Sequence, residues 1–196
     1  KAESRGLGDV YKRQDFFDSH LKEKNKESHF SQINLWNLTT KGWELSVQNK
    51  TPTWSLRSEG LASINHLEGF LAPNSDLEAD SEVNLVHDPW RPIPSIGGHL
   101  SDTAGEANRY QLDIRPDVAV FTSDPISKDL RLEGIPTLFL ETNCDRECFD
   151  LFVALSIIPK AVENTVTQLS TGVLRIADCD KGITSAREIR LQPILA

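Results

Sequence analysis

The side chains able to do chemistry in this 196-residue chain are scattered rather than gathered into a recognisable pattern. Five histidines, His20, His29, His66, His87 and His99, could act as bases beside many serines and aspartates, but no spacing favours one triad over another. A triad is defined by geometry, which sequence order does not supply. The nucleophile elbow G-x-S-x-G, which lifts a serine hydroxyl above a sheet on a strained strand-to-helix turn, does not occur. His87 precedes Asp88, yet successive residues of an extended segment point to opposite faces, so His87 is expected to be a structural or surface residue. Cys144 and Cys148 could meet only across a suitably folded loop, and Cys179 leaves the count odd. Zinc would need about four ligands, and neither a C-x-x-C pair nor a helically spaced His pair accompanies these thiols. Structural thiols in a reducing compartment are the expectation. No catalytic, cofactor-binding or metal-ligating residue is therefore assigned.

Trp36, Trp43, Trp54 and Trp90 are the rings on which a sugar could stack, but Trp36 and Trp54 fall in strand patterns, where core or interface packing is the expected role. Asn37-Leu38-Thr39 and Asn49-Lys50-Thr51 fit the glycosylation triplet, a pattern short enough to arise by chance. A formal charge of -8 without a Lys/Arg cluster argues against nucleic acid as a partner. No apolar run approaches the roughly 20 residues of a membrane-spanning helix, so no membrane partner is expected. With 38% hydrophobic residues the length suits one domain with its own core. A cytoplasmic location is the expectation.

The elements that must position these groups are mostly strands. Asp15 to Lys26 is the one convincing helix: Asp15 can cap it, Phe16, Phe17 and Leu21 give it an apolar side, and Lys22, Lys24 and Lys26 suit its negative end. Beyond His29, strands are expected at Gln32–Asn37, Thr53–Arg57, Glu82–Val86, Asp117–Thr122, Asp129–Leu132, Thr137–Thr142, Phe149–Leu155, Gly172–Ala177 and Glu188–Gln192, with turn residues between them. Thr137–Leu140 and Leu151–Leu155 are dense enough in apolar residues to be central strands covered on both faces. Between Val86 and Gly134 lies a distinctive block. Pro89, Pro92 and Pro94 forbid helix, Gly97 and Gly98 end the connection, and a Ser-Asp-Pro turn follows a period-two run from Asp117 to Thr122.

That block resembles the signature of the C-terminal domain of X-Pro dipeptidyl-peptidases and of the related cocaine esterase and acyl-hydrolase family. The matching residues are Asp88, Pro89, Pro92, Pro94, Gly97 and Gly98, then Asp117, Val118, Val120, Phe121, Thr122, Ser123, Pro125, Asp129, Leu130 and Gly134. Phe149–Leu155 and Thr171–Arg175 follow in the family's order, and Phe16–Lys22 is similar to the helix that closes its catalytic α/β-hydrolase domain. Two departures are visible: of the acidic D-x-D that often precedes the family's Leu-Phe-Val run, Glu147–Asp150 retains only Asp150, and Ile158–Ala161 replaces an Asp-Gly turn.

The resemblance implies an all-β fold, a jelly-roll, galactose-binding-like antiparallel β-sandwich preceded by one short helix and expected to lack strands at its C-terminal side. It implies three segments. Residues 1–14 form no domain, because Ser4–Gln14 is similar to the one-frame translation of a sequencing adapter; residues 15–30 are a terminal helix and linker from the catalytic domain; residues 31–196 are the sandwich. In the family the serine, acid and histidine belong to the catalytic domain, so this chain is expected to carry no triad and to need no cofactor. Its expected partners are the α/β-hydrolase domain of its own parent chain, whose substrate cleft it would help to wall, and a second copy in a homodimer. A carbohydrate-binding module or a purely structural interaction domain remain the alternatives. A sandwich lacking strands would expose apolar edges and be poorly soluble or partly molten.

Overall fold

The computed structural model describes residues 14, 17–18, 21, 33–47, 52–60, 62, 69–73, 81–97, 106–160, 162–177 and 180–196. Gln14, Phe17, Asp18 and Leu21 are helical, and the rest of the helix expected over Asp15–Lys26 lies outside the described residues. The strands are β1 (Asn34–Asn37), β2 (Gly42–Leu45), β3 (Trp54–Ser58), β4 (Gly69–Pro73), β5 (Glu133–Gly134), β6 (Thr137–Thr142), β7 (Phe149–Ile157), β8 (Thr167–Ile176), β9 (Ser185–Arg190) and β10 (Ile194–Leu195). A one-turn helix, Tyr110–Asp113, precedes β5. The chain is thus all-β in character, as expected, with its strands in several sheets that fit a sandwich.

The first sheet has the order β2-β1-β10-β5. Trp36 stands opposite Trp43 in the β1–β2 hairpin, whose loop is closed by the Asn37 side chain: its Oδ1 accepts from the amides of Thr39 at 2.8 Å and Thr40 at 3.0 Å. Lys41 turns the chain with a φ of 55°. β10 then runs parallel to β1 and antiparallel to β5, and the Leu132 and Ala196 backbones extend that ladder with two bonds of 2.9 Å. The remaining strands pair as antiparallel ribbons: β3 with β4, β6 with β9, and β7 with β8.

Ile176 of β8, Ile189 of β9, Ile194 and Leu195 of β10, together with Val166, Leu191 and Leu112, make the buried core. β8 meets the end of β9 at Gly172, where the Gln192 amide donates to the Thr171 carbonyl at 3.0 Å and the Ser170 hydroxyl to the Gln192 carbonyl at 2.7 Å. Gly172 is there because nothing larger fits: a Cβ on it would stand 2.7 Å from the Arg190 carbonyl oxygen.

Several expected strands differ. Asp117–Thr122 is extended but not a regular strand; it runs beside β4 through Thr122, which donates to the Gly69 carbonyl at 2.9 Å and accepts from the Leu71 amide at 3.0 Å. Gly69 is required by this approach, since any Cβ would collide with the Val120 carbonyl. Glu82–Val86 takes no strand pairing among the described residues, and Val86 is exposed to solvent. Asp129–Leu132 becomes strand only from Glu133 onward, because the ladder partner it finds, β10, is two residues long. The strands of Thr137–Leu140 and Leu151–Leu155 form as expected but are not covered on both faces: Phe139 is 71% exposed and Phe152 42%. Each belongs to a two-stranded ribbon, in which period two leaves one row of side chains outward. β2, β4, β10 and the Tyr110–Asp113 helix were not expected; β10, of two residues, and the one-turn helix are too short for periodicity to mark them.

Candidate functional site

The signature block is a knot of backbone and ion pairs. Asp88 Oδ1 accepts from the Trp90 amide at 3.0 Å while its carbonyl accepts from the Arg91 amide at 3.2 Å, an Asx turn that places Pro89 where its fixed φ suits the bend. The Arg115 guanidinium forks onto Asp117, with Nε to Oδ1 at 2.7 Å and Nη2 to Oδ2 at 2.6 Å, and also donates to the Arg91 carbonyl. Both side chains are buried, and the bond from Arg115 holds the Asp117 carboxyl below the usual carboxylate range. Asp88 thus closes a turn within the proline connection, while Asp117, through Arg115, ties that connection to the segment after it. His87 is exposed beside them, in keeping with a surface role.

A second cluster was not legible in the sequence. Arg109, buried at the start of the short helix, donates to Gln168 Oε1 at 2.9 Å, faces Asp113 at 3.3 Å, and lies 5.5 Å over the Phe152 ring. Gln168 passes the link on through Nε2 to the Ile96 carbonyl at 3.4 Å. Burial raises the Asp113 carboxyl above its ordinary value, and the Arg109 charge works against that rise. The cluster joins the helix, β8 and the proline connection. Asp113 stands at the i,i+4 spacing of a helix from Arg109, but Phe152 and Gln168 lie far along the chain, and only the fold could bring those to the arginine.

A third network backs the first hairpin. Arg131 bonds Glu44 at 2.8 Å and Glu133 at 3.0 Å, and the Val47 amide and Ser46 hydroxyl both donate to Glu133. Glu44 also accepts from Asn37 Nδ2 and Thr40 Oγ1, each at 2.8 Å. Bonds from Arg131 lower the Glu44 carboxyl, and those from Ser46 and then Arg131 lower that of Glu133. On the opposite face of the hairpin Trp36 and Trp43 meet edge to face, with centroids 5.5 Å apart and planes at 77°. Trp36 is 44% exposed, Trp43 65% and Trp90 91%, so core packing, one of the expected roles for these rings, is excluded for them here. Asn37, by contrast, is buried with its amide committed to Glu44, which leaves it inaccessible as a glycan acceptor in the folded chain. Asn49 lies outside the described residues.

The described residues also form concavities. One of about 440 Å³ is lined by Ser95–Gly97, Phe152, Gly172, Val173 and the Arg190–Pro193 turn. Its ionisable member, Arg190, is bonded to Glu188 at 2.7 Å, and the lining holds neither histidine nor cysteine. A second of about 310 Å³ lies between β4 and Thr122–Asp124. Neither brings a nucleophile to a base. Cys144 and Cys148 are free thiols, and the Cys144 sulfur accepts from the Arg146 amide at 3.4 Å; Cys179 lies outside the described residues, as do His20, His29, His66 and His99. Among the described residues no three His, Cys, Asp or Glu side chains gather as a metal ion would require, and no helix is long and apolar enough to cross a membrane.

Comparison with curated proteins finds no match. The family model of the X-Pro dipeptidyl-peptidase C-terminal non-catalytic domain does match, over residues 11–196, beginning inside the stretch 1–14 that the sequence set apart. Its span includes the proline connection, the Arg115–Asp117 fork and the Gly172 contact. This chain belongs to the family of X-Pro dipeptidyl-peptidase C-terminal non-catalytic domains.

Proposed function

We propose that this domain is the accessory part of a serine hydrolase with X-Pro dipeptidyl-peptidase-like or acyl-esterase activity. It packs on the α/β-hydrolase domain of its own parent chain and walls the substrate cleft, while the acyl-enzyme chemistry takes place on that other domain. The family match over residues 11–196 carries the reading. The exposure of Leu21 on the described helical residues supports it, because an apolar side chain on a helix is suited to cover by a partner surface. In this reading the sandwich is a galactose-binding-like jelly roll, residues 15–30 belong to the junction with the catalytic domain, the location is cytoplasmic and the parent can form a homodimer.

The test is to join the chain to its parent's upstream sequence and assay X-Pro chromogenic amides and short-chain acyl esters. Activity is expected in the joined protein, sensitive to a serine-directed phosphonate, and not in the chain alone. A joined protein inactive toward both classes would overturn the reading.

The exposed tryptophans favour a second reading, a carbohydrate-binding module. Against it, rings at 77° to one another do not form the flat platform on which a sugar ring lies. Retention of the isolated chain on a glycan array, lost on replacing Trp36 and Trp43, would establish the module instead.

A further inference from the structure

We propose that the outer face of the β1–β2 hairpin, built from Trp36, Trp43 and Leu45, is the surface on which the catalytic domain of the parent chain docks; this rests on the accessory-domain reading above. The strand register puts Asn34, Trp36, Trp43 and Leu45 on one face, without a charge among them, in a chain of which 26% is charged. Depletion of charge together with exposed tryptophan is the composition of an interface core and not of a solvated surface. The three large side chains are 44%, 65% and 48% exposed.

The face is also held ready. Behind it Glu44, Arg131 and Glu133 lock β2 to β5, and Asn37 fixes the hairpin loop. A surface rigid before contact loses little conformational freedom on binding. Three occupants can be compared. A sugar is disfavoured by the 77° angle between the rings. A second copy would bring two chains of charge -8 together, with repulsion opposing the contact. The catalytic domain is joined to this one in the same chain, so its docking is intramolecular and needs no affinity beyond that of a linked partner. β1 is the first strand among the described residues and begins thirteen residues beyond the last described helical residue, Leu21, a span of at most ~43–47 Å when extended.

Hydroxyl-radical footprinting read by mass spectrometry distinguishes the cases. The oxidation rates of Trp36 and Trp43 are compared between this chain and the parent protein carrying the catalytic domain. Docking on this face predicts rates at least ~10-fold lower in the parent, as expected for side chains withdrawn from water at an interface core. Equal rates in a parent that hydrolyses its substrates would overturn the surface while leaving the accessory-domain reading intact; a parent without activity would overturn that reading itself. The double variant Trp36→Ser/Trp43→Ser adds a second measurement. It should lower the melting temperature of the parent by clearly more than that of the isolated chain, which loses only the edge-to-face pair itself. An equal drop in both would mean that the rings serve the hairpin's own packing, and a dimer of the isolated chain abolished by the double variant would assign the face to self-association; either result overturns the proposal.

Discussion

Gly172 of β8 lies so close to Arg190 of β9 that a methyl group in place of its hydrogen would stand 2.7 Å from the Arg190 carbonyl oxygen. The contact is with backbone, which cannot swing aside as a flexible side chain could. Gly172→Ala should therefore separate β8 from the β9–β10 turn and cost about 1–3 kcal/mol, the usual range for overpacking a filled site. Urea denaturation of the two proteins measures it, and an unchanged midpoint would show that the strands can part without loss.

Arg109 and Asp113 should behave as a coupled pair. Both are buried, and removing the arginine would leave a carboxylate without compensation, at a cost of about 3–5 kcal/mol. Arg109→Ala is expected to destabilise the chain by that order, whereas Arg109→Ala/Asp113→Ala should cost less than the two single changes added together. A double-mutant cycle by thermal unfolding reads the difference. Strict additivity would mean that the two charges do not interact.

Acid should weaken the fold through three carboxylates. Asp117, Glu44 and Glu133 all have lowered values in the folded state, so each contributes stability above its unfolded pKa, about 4, that is lost as pH falls through the lower folded value. Asp113, raised by burial, acts in the opposite sense: its contribution is present below the unfolded value and disappears as pH rises through the raised one. With three groups against one, the melting temperature should fall below about pH 4, and Asp117→Asn should flatten that fall. A melting temperature that rose between pH 5 and pH 3 would contradict the balance.

Among the described residues Leu195 is the side chain most withdrawn from water, at 1% exposure, in the strand that joins β1 to β5. Leu195→Ala should cost about 2–5 kcal/mol by leaving a cavity in the middle of the first sheet. Loss of hydrogen-exchange protection should follow at Leu38, whose amide donates to the Leu195 carbonyl at 2.8 Å. Retained protection there would show that β1 is held by β2 alone.

Asn37 should stay unmodified when the folded, purified chain is incubated with an oligosaccharyltransferase and its lipid-linked donor. Its side chain is buried and bonded to Glu44 and to the loop amides, so a glycan could attach only with the hairpin open. Peptide mass spectrometry covering Asn37 checks this; full occupancy would mean that the hairpin opens in the folded chain.

The membership of this chain in its family was legible without any fold, because prolines, paired glycines and period-two strands leave their mark in local composition. Asp88, Asp117 and Gly134 were recognisable as a pattern, and β6 and β7 could be placed from their apolar density and β-branched residues. Those signals are local, set by what each residue permits its own backbone to do.

What the tertiary structure decided is which of these residues meet. Arg115 stands two residues from Asp117 and yet also reaches the Arg91 carbonyl of the proline connection, and Arg109 finds Gln168 in a strand far along the chain. The sequence offered the tryptophans for core, interface or sugar contacts without deciding among them, and gave Gly172 no role beyond the start of a strand. Only the crossing of β8 over the Arg190–Leu191 backbone makes the glycine necessary, and only the register of β1 against β2 turns Trp36 and Trp43 outward together. Close approach and shared facing are properties of distant segments in space, and no local pattern carries them.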